Sequence, residues 1–221
     1  MLRWLQSGET GAAPRDGTAC APPDEQACPG LARALRRILS KAGQPEVLDL
    51  GQFSRSAALY VARRGARVHV EQFEPPPPTP RRSKTPGETG GAVAKEPLRI
   101  PQPDGKFDLV LAWEHGDFVP PDRLPDFAAE LGRILAPGGW LVMYSQDNPG
   151  ANGLTDEVPA CYRLTADDRI VRTPGAGALR RRWAHPNRAI QRALEPLAVQ
   201  SVHLQRNRVR EFVLRKPEQD C

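Results

Sequence analysis

Chemically capable residues gather in a few places along this 221-residue chain. One is the run Trp113-Glu114-His115-Gly116-Asp117-Phe118, where His115 offers an imidazole general base and Asp117 a carboxylate for the same task. A second is the apolar run EVLDLG (46–51), which closes on Asp49 and Gly51, with Glu71 following 22 residues after Asp49. A carboxylate is acceptor-only, so Glu71 suits a ligand presenting two hydroxyl donors; a solvated strand-end residue is the plainer alternative. Third, Tyr144, Ser145, Gln146, Asp147 and Asn148 form a polar run that either orients a ligand or supplies turn chemistry. Fourth, Arg180-Arg181-Arg182-Trp183 sets an aromatic ring that can stack on a base beside a basic cluster, although such a run is also typical of a solvated face. The cysteines add nothing to this set. Cys20, Cys28, Cys161 and Cys221 are scattered without partner histidines, so the expectation is free thiols and no metal.

The elements that must position these residues follow from hydrophobic period. Leu31, Ala34, Leu35 and Ile38 fall at i, i+3, i+4, i+7 and predict a helix over 30–42, stopped by Gly43. EVLDLG is a buried strand, residues 55–64 return to helical spacing, and ARVHVE (66–71) alternates as a second strand. A strand, helix and strand in so short a span form a βαβ unit. DGKFDLVLAW (104–113) is a turn and buried strand, and RLPDFAAELGRIL (123–135) is an amphipathic helix. APGG (136–139) stops that helix and turns into the strand WLVMYS (140–145). Weaker strands follow at 161–165 and 168–173, then a helix at 186–195 and a hairpin of 198–205 with 208–216, linked through Asn207. Strands alternating with helices argue for an α/β sheet covered on both faces.

These segments resemble the class I S-adenosylmethionine-dependent methyltransferases. The resemblance rests on VLDLG (47–51), Glu71, DGKFDLVLAW (104–113) and ELGRILAPGGWLVM (130–143), and covers about residues 30–216. It implies a single Rossmann-like fold: a mostly parallel seven-stranded sheet with a C-terminal antiparallel hairpin and helices on both faces. The cofactor S-adenosylmethionine would lie over the carboxyl ends of the first two strands, as ligands do in open α/β sheets generally. Asp49, Gly51, Arg55, Glu71 and Trp113 are the implied cofactor contacts, with Glu71 at the place of the acid that holds the ribose hydroxyls. The family's three-glycine loop is reduced to Gly51, with Phe53 and Arg55 at the other two places. Arg55 can pair with a cofactor carboxylate, since a guanidinium suits bidentate recognition. Phe53 can equally fill the pocket. The loop is therefore compatible with methyl transfer to an unidentified acceptor, and with a catalytically inactive methyltransferase-like binding protein.

Composition bounds the rest. Proline is abundant, 24 residues, and concentrates in residues 14–29 and 75–103; the expectation is an N-terminal tail over 1–29 and a Pro-rich insertion over 72–97 within a domain of 30–216, with residues 217–221 as a short C-terminal tail. The net charge of +5 is modest, so nucleic acid is a weak expectation and a small-molecule acceptor the favoured partner. No apolar run is long enough to span a bilayer, and the start lacks a secretory core, which points to the cytoplasm. A nicotinamide dehydrogenase would need GxGxxG at the first strand, and only Gly51 is present.

Overall fold

The computed structural model describes residues 25–51, 55–77, 97–146, 154–175, 177–205 and 208–218. A short strand, β1 (Glu25–Ala27), precedes helix α1 (Pro29–Leu39), and β2 (Glu46–Asp49), α2 (Arg55–Ala62) and β3 (Arg67–Val70) form the strand–helix–strand unit. Next come β4 (Phe107–Trp113), a 3-10 turn at His115–Phe118, α3 (Leu124–Ile134) and the long β5 (Leu135–Gln146). The last third holds β6 (Leu154–Glu157), β7 (Cys161–Ala166), β8 (Arg169–Thr173), β9 (Arg180–Trp183), α4 (Asn187–Ala193), β10 (Ala198–Leu204) and β11 (Val209–Arg215).

The main sheet is mixed, with six strands in the order β10-β11-β5-β4-β2-β3. β3, β2, β4 and β5 run parallel, while β11 and β10 pair antiparallel at the far edge. Strand periodicity divides the core between the two faces. From β4, Val110 and Ala112 join Leu48, Leu141 and Phe212 in the cluster that holds Phe127 and Leu131 of α3 and Ile190 of α4. Leu109, Leu111 and Trp113 point the other way, into the cluster of α1, α2 and β7–β8.

Helix α1 shows how the faces are joined. Pro29 opens it where a missing N–H costs nothing, and Leu31, Ala34, Leu35 and Ile38 are buried as the spacing predicts. Its N-cap residue, Cys28, makes no side-chain cap. Glu211, fully buried in the middle of β11, instead accepts the N–H groups of Gly30 and Leu31, each at 2.9 Å, and the Tyr144 hydroxyl at 3.0 Å. A Cβ on Gly30 would lie 2.8 Å from Glu211 Oε2, so this close approach requires glycine.

Four features differ from the sequence-based expectation. Six main-sheet strands stand among the described residues against the seven that the resemblance implies. Residues 71–77 and 97–106 contain no strand, which leaves β3 at the edge; most of the expected insertion, 78–96, lies outside the described residues. Second, β7 and β8 leave the main sheet and form a separate three-stranded sheet with β1. β1 itself falls within the stretch read as tail, its Glu25 opposite Val171 of β8, and Cys28 behind it is wholly buried. Third, APGG is part of β5: Phe107 pairs with Leu135 but Leu109 with Trp140, so the turn is absorbed as a register shift, with Gly138 at φ +71°. Last, Arg180–Trp183 is a strand, paired with β6. Among the described residues no helix is long and apolar enough to cross a membrane.

Candidate functional site

The carboxyl ends of β2, β3 and β4 lie side by side, and they bring together four of the implied cofactor residues. The Glu71 N–H donates to the Asp49 carbonyl at 2.9 Å, which carries the parallel pairing one step beyond β3 and places Glu71 beside Asp49. Asp49 is almost completely buried. Its Oδ1 accepts the Gly51 N–H at 2.8 Å and the Trp113 Nε1–H at 2.5 Å. Burial pushes the Asp49 carboxyl above its ordinary pKa, and these two donors only partly offset that. A Cβ on Gly51 would sit 2.8 Å from Asp49 Oδ1 and 2.9 Å from Trp113 Nε1, so the backbone passes this corner only as glycine. Glu71 is half-buried and accepts from Gln102 Nε2 at 3.0 Å. Arg55 opens α2; its side chain and residues 52–54, including Phe53, lie outside the described residues.

Trp113 ends β4 with φ +42°, a conformation that a bulky residue holds only when its surroundings over-determine it. Those surroundings are an aromatic stack. The indole lies 4.8 Å from the Tyr162 ring at an interplanar angle of 6°, and 5.9 Å from Tyr144 at 11°. Tyr144 and Tyr162 stack on each other at 5.4 Å. The two hydroxyls reach buried carboxylates: Tyr144 donates to Glu211, and Tyr162 donates to Glu114 at 2.6 Å. Trp113 is thus buried in the core on this face of the sheet, and its indole N–H is aimed at Asp49.

Beyond β4 lies a buried charge network. Glu114, 2% exposed, accepts Arg172 Nε at 2.8 Å and Nη2 at 3.2 Å, and its carboxylate lies 3.4 Å from Arg182 Nη1. Desolvation alone would raise its pKa, but the Arg182 and Arg172 guanidiniums with the Tyr162 hydroxyl hold it below the ordinary value. Asp117, equally buried, takes Arg182 Nη2 at 2.7 Å and the Gln146 N–H at 2.8 Å. Its pKa is raised, because burial outweighs the Arg182 charge. Arg182 is fully buried and also reaches Glu157 at 2.9 Å, so one guanidinium bridges three acids.

This network changes the standing of the two candidate bases. Asp117 is committed to Arg182 and to the Gln146 backbone, which makes it a tie between β9 and the end of β5. His115 is buried with its ring edge-on to Phe73 at 5.6 Å, and burial lowers its pKa to about 4. At neutral pH such an imidazole is uncharged and weakly basic, a poor match for a proton-abstracting role. The polar run at the end of β5 is used structurally as well: Arg210, buried on β11, donates to Ser145 Oγ at 3.3 Å and to the Gln146 and His185 carbonyls. Asp147 and Asn148 lie outside the described residues.

Arg172 was not singled out from the sequence, and Arg182 was read there only as part of a basic run, not as the hub of an internal ion-pair network. The acids they meet lie 25 to 65 residues away in the chain, so no local spacing reveals them. Among the described residues, no group of three or more His, Cys, Asp or Glu side chains is arranged to hold a metal ion, and Cys28 and Cys161 carry free thiols.

With this geometry in place, three comparisons bear on the chain. The profile of a family described as a methyltransferase domain matches residues 48–143, the stretch from β2 into β5. A protein of Oryza sativa subsp. japonica named "Probable tocopherol O-methyltransferase, chloroplastic" is 44% identical over 46 residues, 21% of this chain, so the match spans only 12% of that relative's length. Among solved structures, the [4+2]-cyclase SpnF superposes with a TM-score of 0.50 at 14% identity, over 85% of this chain and 80% of that one. The 1,6-didemethyltoxoflavin-N1-methyltransferase of Burkholderia thailandensis, solved with 1,6-didemethyltoxoflavin and S-adenosylhomocysteine bound, has a TM-score of 0.47 at 17% identity, over 86% and 79% of the two chains.

Proposed function

We propose that this chain, whose residues 48–143 match a methyltransferase-domain family, is a class I S-adenosylmethionine-dependent methyltransferase that transfers a methyl group from S-adenosylmethionine to a small-molecule acceptor. The observation that carries this reading is the pair of carboxylates, Asp49 and Glu71, on adjacent strand ends beside a glycine that only a bare backbone can satisfy.

The donor set fits the cofactor. Glu71 accepts the two ribose hydroxyls, a role that needs an acceptor-only group. Asp49 faces the methionine ammonium: a carboxylate has about four lone-pair sites, and Gly51 and Trp113 both donate to the one oxygen Oδ1. Trp113 walls the pocket and is held by its stack on Tyr162 and Tyr144. When bound, the cofactor supplies a methyl group on a sulfonium, ready for displacement. The protein's share is then to hold the acceptor in line and exclude water, and fixed geometry supplies most of the acceleration in such a transfer. A neutral His115 and an ion-paired Asp117 leave no strong base at the end of β4, so an acceptor nucleophile that is already unprotonated suits this site best.

Calorimetric titration with S-adenosylhomocysteine tests the reading. Saturable heat is expected, and Glu71→Ala should weaken binding by about 1–3 kcal/mol, because the ligand hydroxyls lose their acceptor. No heat at millimolar ligand overturns cofactor binding; an unchanged affinity in Glu71→Ala overturns the ribose assignment.

A further inference from the structure

A concave surface opens beside the β4 end, lined by none of the residues assigned to the cofactor. It is a groove of about 220 Å³ between the segment leaving β3 and strand β9, and its walls include Pro75, Pro77, Phe118, Arg180, Arg181 and Trp183. That volume lies just under the ~300–1,000 Å³ of clefts that enclose drug-sized ligands, so the occupant is small. We infer that this groove is the acceptor pocket and that it takes a small planar aromatic molecule carrying an acidic group; the acceptor role rests on the methyl-transfer reading above.

Three observations carry the assignment. The first is the character of the walls. Prolines and aromatic rings bury apolar surface with little loss of conformational freedom, and the part-exposed Trp183 offers a face on which a flat ligand stacks. The second is rigidity. Arg182, between Arg181 and Trp183 on β9, is fully buried and held by Asp117, Glu157 and Glu114, and its guanidinium lies 5.6 Å from the centre of the Phe118 ring. Strand β9 is therefore locked to the turn that carries Phe118 before any ligand arrives.

The third is the state of the two rim arginines. Arg180 pairs with Glu74 at 3.2 Å and Arg181 with Asp156 at 3.7 Å, and both acids are well exposed, at 70% and 59%. Ion pairs of this kind are worth little, so a ligand carboxylate or phosphate that engages a guanidinium in bidentate fashion displaces them readily. Position agrees with the chemistry. Phe118 lies in the turn that follows β4, and Pro75–Pro77 follow Glu71 at the end of β3, so the groove and the carboxylate pair share one end of the sheet.

The test uses 1-naphthoate and its neutral counterpart 1-naphthylmethanol, titrated against the intact chain by tryptophan fluorescence and by heat, without cofactor. Naphthoate should bind saturably, and the alcohol about tenfold more weakly, the loss expected when a charge-assisted contact is removed. The double variant Arg180→Gln/Arg181→Gln should bring naphthoate down to the alcohol's affinity. Trp183→Leu should weaken both ligands. The thermal midpoint of each variant is measured alongside, and Arg181, 57% exposed, is replaceable without disturbing the core. Equal affinity for acid and alcohol, or indifference to the arginine double variant, overturns the charge assignment. No saturable binding of either overturns the groove. S-adenosylhomocysteine, titrated separately, keeps the two readings apart. If it binds while naphthoate does not, the groove alone fails; if naphthoate binds while it does not, methyl transfer and the acceptor role fail.

Discussion

The β2–β3 corner and the β4–β9 corner meet at Trp113, yet they are built on opposite principles. At the first, Asp49, Gly51 and Glu71 are placed by a compact strand–helix–strand unit, and apart from Gln102 on Glu71 their contacts are local or between neighbouring strands. At the second, Glu114 and Asp117 take their charge partners from Arg172 and Arg182, which arrive from β8 and β9 late in the chain. The first corner leaves a half-buried carboxylate able to meet a ligand. The second consumes its charges internally and turns them into architecture. A cluster of acids and arginines near a sheet end is thus no proof of chemistry; whether the charges are already spent decides it.

Removing the hub of the second corner should produce the largest effect. Arg182→Leu leaves Glu114, Asp117 and Glu157 without their shared cation, two of them in a dry interior. Breaking a buried pair from one side costs about 3–5 kcal/mol. Urea denaturation should show a loss of that order, and a loss below about 1 kcal/mol would mean that water reaches these acids and the corner is not spent.

Acid should weaken the same corner by nearly as much. The His115 pKa falls from its ordinary 6.5 to about 4 in the folded chain because burial disfavours the cation. As pH drops through 6.5 the unfolded chain takes up this proton and the folded chain does not, so stability declines until pH reaches about 4, where both states are protonated. His115 then accounts for roughly 3 kcal/mol across that window. His185, also depressed by burial, adds in the same direction. The slope of stability against pH should flatten in His115→Gln; an unchanged slope removes His115 as its source.

What was legible in the sequence follows the same divide. β2, α2, β3, β4 and α3 were readable because each is specified by its own period and stop residue, and with them came Asp49, Gly51, Glu71 and Trp113. His115 and Asp117 were placed correctly on the turn after β4, but their character was not readable. Burial by Phe73 and pairing with Arg182 depend on segments far away in the chain. Arg180–Trp183 looked like a solvated basic run for the same reason, since the acid opposite Arg182 in space is not near it in sequence. β1 was hidden inside Pro-rich composition because three residues carry no period, and only pairing with β8 makes them a strand. The cap of α1 is the extreme case: its acceptor, Glu211, lies 180 residues beyond Leu31, whose N–H it takes.

The smallest prediction asks whether the two corners are one unit. Tyr162 belongs to both: its ring stacks on Trp113, and its hydroxyl donates to Glu114. Tyr162→Phe keeps the ring and deletes only the hydroxyl, while Arg172 and Arg182 remain on the carboxylate. A loss of about 1 kcal/mol in stability is expected, the usual net worth of one hydrogen bond. S-adenosylhomocysteine affinity should not change, because the stacked ring still fixes the indole against Asp49. If calorimetry finds that affinity falls along with stability, the charge network reaches the cofactor site through the stack, and the β4–β9 corner is part of the binding machinery after all.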